Sequence, residues 1–409
     1  QRVTIAAQLA ACLTGVLYVL DEPSIGLHPV DTDMLIRQLK RLSSAGNTVV
    51  VVEHEAAIIR SSDYIVELGP GAGERGGRVV WAGPADEFLT KGATLTANYL
   101  NGTERIHTPR WRRNGSGKFL VLKGARGNNL KSINVRIPLK TLTCVTGVSG
   151  SGKSTLVVDT ICNILAEHFK TGGPRRERPM PYGSFEGAER LREVRLIDQS
   201  PVGRSARSNP ITCIGGFDEI RRIYAATPAA EALGLTPGHF SFNVKGGRCE
   251  TCKGDGAQKL EMYFLPDVYI KCAVCGGKRY KPKVLDVKYR RANIHACLNM
   301  TFDNAATHFQ GNDRLQRLFS IVREVGLGYL RLGQSSSTLS GGESQRLNIA
   351  KELACEDTGD VLYVFDEPTT GLHMDDVKKL LAVINRLVDA GNTALVIEHN
   401  LDCIKTADY

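Results

Sequence analysis

Apolar residues fall in short runs of strand length, and none approaches the ~18 consecutive positions of a membrane-spanning helix. Thr48–Val52 (TVVVV), Thr141–Val145 (TLTCV), Val361–Asp366 (VLYVFD) and Ala394–Ile397 (ALVI) read as strands. Thr155–Leu165 (TLVVDTICNIL) follows a Gly-rich loop and predicts a helix. Between Ala257 and Ile270 (AQKLEMYFLPDVYI) the alternation predicts a hairpin turning near Leu265-Pro266-Asp267. Arg110-Trp111-Arg112-Arg113 runs into Asn114-Gly115-Ser116-Gly117 and reads as linker.

A repeat frames these elements. QRVTIAAQLA at Gln1–Ala10 returns as QRLNIAKELA at Gln345–Ala354, and VLYVLDEPSIGLH at Val16–His28 returns as VLYVFDEPTTGLH at Val361–His373. GNTVVVVEH ends at His54 and GNTALVIEH at His399. Register held over about sixty positions signals a duplication. LSGGES (Leu339–Ser344) precedes only the second QR, and only the first copy continues past its Asp-Tyr pair. The pattern implies a whole unit reaching upstream of Gln1 and beyond Tyr409.

Composition narrows the class. At 409 residues, 42% hydrophobic and 23% charged, the chain reads as a soluble multidomain protein. A net charge of +9 permits nucleic-acid binding without demanding it. The chain opens Gln-Arg, with neither Met nor signal peptide. Of 11 Cys, four form two C-x-x-C pairs and the rest are scattered. That usage fits a reducing cytoplasm and one metal site better than a disulfide framework.

Gly147–Ser154 (GVSGSGKS) is a full G-x-x-x-x-G-K-[ST] loop between the predicted strand and helix. Gly147, Ser149, Gly150 and Gly152 let backbone N–H groups approach phosphates, with Thr155 opening the helix. Lys153 is placed for the β- and γ-phosphates of ATP, and Ser154 for Mg²⁺. Asp366 ends an apolar strand and is placed to hold Mg²⁺ through water, while Glu367 orients or deprotonates the attacking water. Asp21 and Glu22 repeat that pair. His54 and His399 each end a strand, in position for a γ-phosphate contact.

Cys249 and Cys252, nineteen residues, then Cys272 and Cys275, have the spacing of a closed, structural Cys₄ zinc site. Lys245, Arg248, Lys253, Lys259, Lys278 and Arg279 surround it. A zinc-anchored basic module suits DNA contact through phosphates and deformability more than base reading.

A P-loop, LSGGE before QR, Asp-Glu-Pro after a strand and a strand-end His together resemble ABC-type ATPases. That resemblance implies that Ser340, Gly341, Gly342 and Glu343 cap the γ-phosphate on a partner's P-loop. VTGVSGSGKSTL, RLIDQSPVGRSARSNP, HFSFNVKGGRCETCKGDG, FLPDVYIKCAVCGGKRY and STLSGGESQRLNIAKEL resemble, more narrowly, the UvrA family of bacterial excinuclease subunits, over essentially all 409 residues. The resemblance implies a DNA-damage-sensing ATPase of nucleotide excision repair, a homodimer that works with a UvrB-type helicase and a nuclease. It implies that Gln199 ligates Mg²⁺ and senses the γ-phosphate, and that Arg204 and Arg207 flank a loop coupling nucleotide state to DNA. Ser205-Ala206 and Cys213-Ile214 depart from the family pattern. A non-repair UvrA-like paralogue, acting on a drug or DNA–drug adduct, stays open. A transporter subunit is disfavoured by the zinc module and the lack of a membrane segment.

The expected fold class is α/β, with ABC-type P-loop cores, a helical signature region and a small β-rich Cys₄ insertion. Expected domains are 1–103, the end of a first nucleotide-binding domain; 104–118, linker; 119–240, the start of a second ATP-binding core; 241–284, the zinc module; 285–354, the signature region; and 355–409, the rest of the second core. The only P-loop and the only LSGGE belong to the same copy, so neither shared site closes within this chain. Weak to moderate nucleotide binding and slow hydrolysis follow as expectations.

Overall fold

The computed structural model describes residues 13–170, 178–200, 207–260, 268–354 and 359–409, and the side chains of all of these but 259, 260, 268 and 269. Two compact units result: Gln1–Gln199 with Asp357–Tyr409, and Ser200–Glu356. No helix among the described residues is long and apolar enough to cross a membrane.

The first unit begins with copy one of the repeat. Strands β1 (Leu17–Asp21) and β2 (Thr48–Val52) pair in parallel, joined by helix α1 (Pro29–Ser44). Strands β3 (Tyr64–Gly69) and β4 (Arg78–Pro84) pair antiparallel, and the short helix α2 (Leu95–Leu100) follows. Next come β5 (Phe119–Ala125), β6 (Ile133–Pro138) and β8 (Ser184–Glu186), which form an antiparallel sheet in the order β6-β5-β8.

The centre of the unit is a four-stranded parallel sheet in the order β7-β15-β14-β9. Its members are β7 (Leu142–Val145), β9 (Glu193–Ile197), β14 (Val361–Asp366) and β15 (Thr393–Ile397). Continuous apolar runs suit strands covered on both faces, and β15 is buried throughout. The helix after the P-loop is π-wound over Thr155–Cys162 and continues through Asn163–His168. Val157, Val158, Ile161 and Leu165 pack it against Leu362, Val364, Leu395 and Ile397 of the parallel sheet and Leu120 and Leu122 of the antiparallel one.

The two copies differ in what covers them. Leu17 and Val19 of β1 are 61% and 66% exposed, whereas Leu362 and Val364 of β14 are fully buried. β14 lies between β9 and β15 under the P-loop helix, while β1 pairs only with β2 among the described residues. The segment read as linker is tied down at several points: Glu104 pairs with Lys378 at 3.2 Å, Arg112 donates to the Lys405 carbonyl at 3.0 Å, and Ser116 N–H donates to the Leu139 carbonyl at 3.0 Å. Arg113 reaches Asp389 at 2.7 Å and Asp408 at 2.9 Å.

The second unit is mostly helical. Helices α3 (Asp313–Glu324) and α4 (Gly341–Ala354) stand beside a core holding Phe302, Phe309, Phe319, Tyr224 and Phe240. Strands β10 (Ala257–Leu260) and β11 (Val268–Lys271) form the antiparallel ends of the expected hairpin, and its turn at Leu265–Asp267 lies outside the described residues. A two-residue pair, β12 (Lys288–Tyr289) with β13 (Ala292–Asn293), completes the strands of this unit among its described residues. The architecture is α/β, as its residue pattern leads one to expect.

Candidate functional site

All four strands of the parallel sheet deliver a chemical group at the same edge. β7 runs into the P-loop, Asp366 ends β14, Gln199 lies two residues past β9, and His399 lies two past β15. The register places these ends side by side: Val145 opposite Ile397, Ile397 opposite Asp366, and Phe365 opposite Ile197. Ligands of open α/β sheets bind outside the carboxyl ends of the strands.

Lys153 is buried, and its Nζ donates to the Gly147 and Val148 carbonyls at 2.9 and 3.0 Å, spanning its own loop. Burial lowers its pKa, while the charges of Glu367 and Asp366 pull it back up. Burial raises the Glu367 carboxyl, against the opposing pull of Lys153. His399 Nε2 stands 3.4 Å from Glu367 Oε1, and its buried Nδ1 has no hydrogen-bond partner among the described residues. Burial, then Lys153, pushes this imidazole below its ordinary value and so toward the neutral form.

Copy one rebuilds the pair: His54 Nε2 lies 3.6 Å from Glu22 Oε1. Both glutamates occupy the left-handed region, with φ of 44° at Glu22 and 46° at Glu367. A non-Gly residue held there costs on the order of 1–3 kcal/mol, and such strain clusters at functional sites. The same backbone bond holds each in place: Glu22 N–H donates to Val52 O at 2.9 Å, and Glu367 N–H to Ile397 O at 3.0 Å.

The loops after the two acidic pairs cross over. A Cβ placed on Gly26 would lie 3.4 Å from Glu367 Oε2, and one on Gly371 only 3.0 Å from Glu22 Oε2. The His28 and His399 rings meet edge to face at 6.0 Å. On the other side His373 caps helix α5 (Met374–Asp389), taking the Asp375 N–H on Nδ1, while its Nε2 lies 3.0 Å from Thr96 Oγ1. Each acidic pair is thus fronted by a loop of the other copy.

The Glu before each strand-end His has a structural role that its residue pattern did not suggest. Glu398 is buried and accepts from Thr369 N–H and His399 N–H at 2.8 Å and Asn400 N–H at 3.0 Å. Glu53 does the same for Ser24, His54 and Glu55. The carboxylate ties the His to the loop after the acidic pair. Glu398→Gln sets an amide donor against N–H donors and is expected to cost about 1–3 kcal/mol, read from the denaturant midpoint.

In the second unit, Ser340 and Glu343 cap α4 reciprocally. Ser340 N–H donates to Glu343 Oε2 at 2.8 Å and Glu343 N–H donates to Ser340 Oγ at 3.2 Å. Tyr329 adds a hydroxyl donor to Glu343 Oε1 at 2.5 Å. Ser340 and Gly341 are exposed, so the helix N-terminus is open to an anion.

The four thiols of Cys249, Cys252, Cys272 and Cys275 all lie within 4.8 Å of one another, with Cys252 and Cys275 at 3.7 Å. Metal–sulfur bonds of 2.3 Å in a tetrahedron set sulfurs about 3.8 Å apart, so the cluster fits a tetrahedral ion. Burial raises the Cys249 thiol, but hydrogen bonds from the Cys252 and Thr251 backbone and from neighbouring thiols outweigh it and hold it at about 7. Burial and the Cys275 and Cys249 thiols raise Cys252 to about 12, so the cluster shares its protons unevenly and the sulfur spacing, not the thiol acidity, is what points to a metal.

Comparison with known proteins agrees with this geometry. No family model matches the chain. UvrABC system protein A of Thermus thermophilus is 55% identical over 409 residues, which are 100% of this chain and 43% of that protein. The protein of the same name from Aquifex aeolicus is 53% identical over 100% of this chain and 44% of its own length. The chain belongs to the UvrA family. It spans less than half the length of these UvrA relatives. The crystal structure of UvrA2 from Deinococcus radiodurans superposes with a TM-score of 0.91 at 45% identity, over 100% of this chain and 49% of that one. The archaeal ribosome recycling factor aABCE1, at 19% identity and a TM-score of 0.50, shares the fold.

The basic residues of this UvrA-family chain separate by environment. Lys245, Lys253 and Lys278 are exposed. Arg248 is buried, and its Nη1 donates to the Asn243 carbonyl at 2.9 Å. Arg207 donates to Asp255 at 2.7 Å, and Arg279 stands over the Phe242 ring at 5.6 Å while its carbonyl accepts from Cys249 N–H at 2.8 Å. Arg248 and Arg279 brace the Cys module from within, and the partly exposed Arg207–Asp255 pair ties it at the surface. Arg204 and the Lys259 side chain lie outside the described residues.

Proposed function

We propose that the chain is the nucleotide- and DNA-handling portion of a damage-sensing ATPase in nucleotide excision repair. The observation that carries this reading is the doubled Glu–His pair, each glutamate fronted by the loop of the other copy. That arrangement suits two sites that report on each other. Lys153 holds the β- and γ-phosphates of ATP, with Gly147, Ser149, Gly150, Gly152 and Thr155 around them. Ser154, Asp366 and Gln199 hold Mg²⁺, which neutralises developing phosphate charge when bound. Glu367 orients the attacking water and takes its proton, and neutral His399 steadies the γ-phosphate through Nε2. Asp21, Glu22 and His54 do the same work in copy one. Ser340, Gly341, Gly342 and Glu343 form the cap offered to a facing P-loop.

Zinc fills the Cys₄ cluster and is structural, because four thiolates leave no open position. The exposed Lys245, Lys253 and Lys278 meet DNA phosphates, while Arg207, Arg248 and Arg279 keep the module rigid. The intact protein acts as a homodimer with a UvrB-type helicase on double-stranded, damaged DNA in the cytoplasm.

The test is equilibrium binding to a duplex with and without one bulky adduct, at two salt concentrations, with and without ATP. Preference for the adduct supports damage recognition within this chain. Equal binding to both duplexes removes lesion discrimination from it. Three phosphate contacts predict a slope of log K against log salt of about −2.7. A slope near zero would remove the three lysines from the DNA interface.

A further inference from the structure

We propose that Asn128 is a positioning residue for the nucleotide site: its side-chain amide fixes the Thr155 hydroxyl so that the hydroxyl proton is left for a phosphate oxygen. The inference rests on the reading of Gly147–Thr155 as a nucleotide site. Nothing in the P-loop motif points to Asn128, which lies nineteen positions before Gly147.

Three observations place Asn128. Its Nδ2 donates to Thr155 Oγ1 at 3.0 Å. Its backbone is left-handed, with φ of 47°, a conformation Asn tolerates better than most residues. The residue before it, Gly127, is pressed onto the same side chain: a Cβ there would lie 2.9 Å from Thr155 Cγ2 and 2.7 Å from Met180 Cβ. Asn129 extends the contact along the P-loop. Its Nδ2 donates to the Gly150 carbonyl at 3.0 Å, and a Cβ on Gly152 would lie 2.7 Å from its Oδ1. Residues 127–129 therefore clasp both the loop and the first residue of the helix.

The chemistry lies in the direction of one hydrogen bond. A hydroxyl carries one proton and two lone pairs. Thr155 Oγ1 accepts from Asn128, so its proton stays free for an acceptor. In a helix a threonine proton is often taken by the carbonyl one turn back. Thr155 makes no such bond among the described residues. Its hydroxyl stands at the start of the P-loop helix, where N–H groups and the helix dipole gather phosphate. Asn129 occupies the Gly150 carbonyl, a negative end that an anion nest must turn away from its ligand.

Isothermal titration of the 409-residue chain with Mg-ATP and with Mg-ADP tests this, using N128G, N128D, T155V and N128G/T155V. Gly keeps the left-handed backbone and removes only the amide. N128G is expected to weaken both nucleotides alike, by about tenfold, the size of one charge-assisted hydrogen bond. N128D is expected to weaken them further. A carboxylate only accepts, so it draws the Thr155 proton to itself and sets a negative charge beside the phosphates. In the T155V background N128G is expected to cost nothing more, because the two substitutions remove one interaction. Unchanged binding by N128G, or a loss that adds in full to that of T155V, overturns the inference. If the unsubstituted chain binds neither nucleotide, the nucleotide reading falls and this inference with it. Binding by the unsubstituted chain and by N128G alike overturns the inference alone.

Discussion

Replacing Glu367 with Gln is expected to lower ATP hydrolysis about 100- to 1000-fold and to leave ATP affinity within about twofold, the signature of a lost general base. The carboxylate lies 3.4 Å from His399 Nε2 and close enough to Lys153 for each to shift the other's proton affinity. Gln keeps the size and a carbonyl for water, but it cannot take a proton. Lys153→Ala should behave in the opposite way. It removes the cation expected on the phosphates, so affinity and turnover fall together. Phosphate release under single-turnover conditions, with titration of ATP on the same samples, separates the two. Equal turnover in the Gln variant and the parent would remove Glu367 from the chemistry. Turnover like that of an intact enzyme would contradict the expectation that neither shared site closes in this chain.

Stripping zinc, or replacing Cys272 with Ser, is expected to unfold the segment around residues 241–284 and to abolish salt-dependent DNA binding. Cys272 is fully buried, and the only described hydrophobic neighbours of Cys249, Cys252 and Cys272 in their cluster are each other and Cys275. Phe242, Tyr280 and Val284 are buried and anchor the ends of the segment, so the metal supplies the folding free energy of the two cysteine turns between them, apparent values being about 10–16 kcal/mol for zinc-finger peptides near pH 7. One zinc per chain by elemental analysis, and rapid proteolysis of this segment after chelation, are the expected readings. A protease-resistant, DNA-binding chain without metal would show that the thiols are ordinary buried cysteines. The P-loop lies in the other unit, so nucleotide affinity, measured once the chelator is removed and Mg²⁺ restored, should be unchanged and serves as the control.

Much of the site was legible in the residue pattern because its chemistry is local. A P-loop needs its glycines, Lys153 and Ser154 within one turn. A knuckle needs two cysteines three residues apart. Asp366 and Glu367 advertise themselves by ending an apolar strand, and the duplication repeated the same signal at Asp21 and Glu22. What was not legible depends on which way a side chain turns once the chain is folded, even toward a neighbour a few residues away. Arg248 looks like any basic residue near a zinc motif, yet it points inward to Asn243 O. Glu398 looks like a companion of His399, yet it is buried as an acceptor of three N–H groups. Asn128 carries no motif at all. A hydrogen-bond partner is chosen by folding, and neither charge nor spacing reveals it.

The sequence by itself determined the main strands, the recurrence of one strand–helix–strand unit, and which side chains are candidates for phosphate and metal chemistry, because strand-length apolar runs and short-range spacing are properties of the covalent chain. Tertiary structure alone decided that four strand ends meet in the order β7-β15-β14-β9, that Gly371 comes against Glu22 and Gly26 against Glu367, and that both glutamates sit in left-handed backbone. These relations join segments from thirty residues apart, as in the Glu22–Val52 and Glu367–Ile397 backbone bonds, to more than three hundred, as between Gly371 and Glu22, and strand pairing and packing set them where no local preference could.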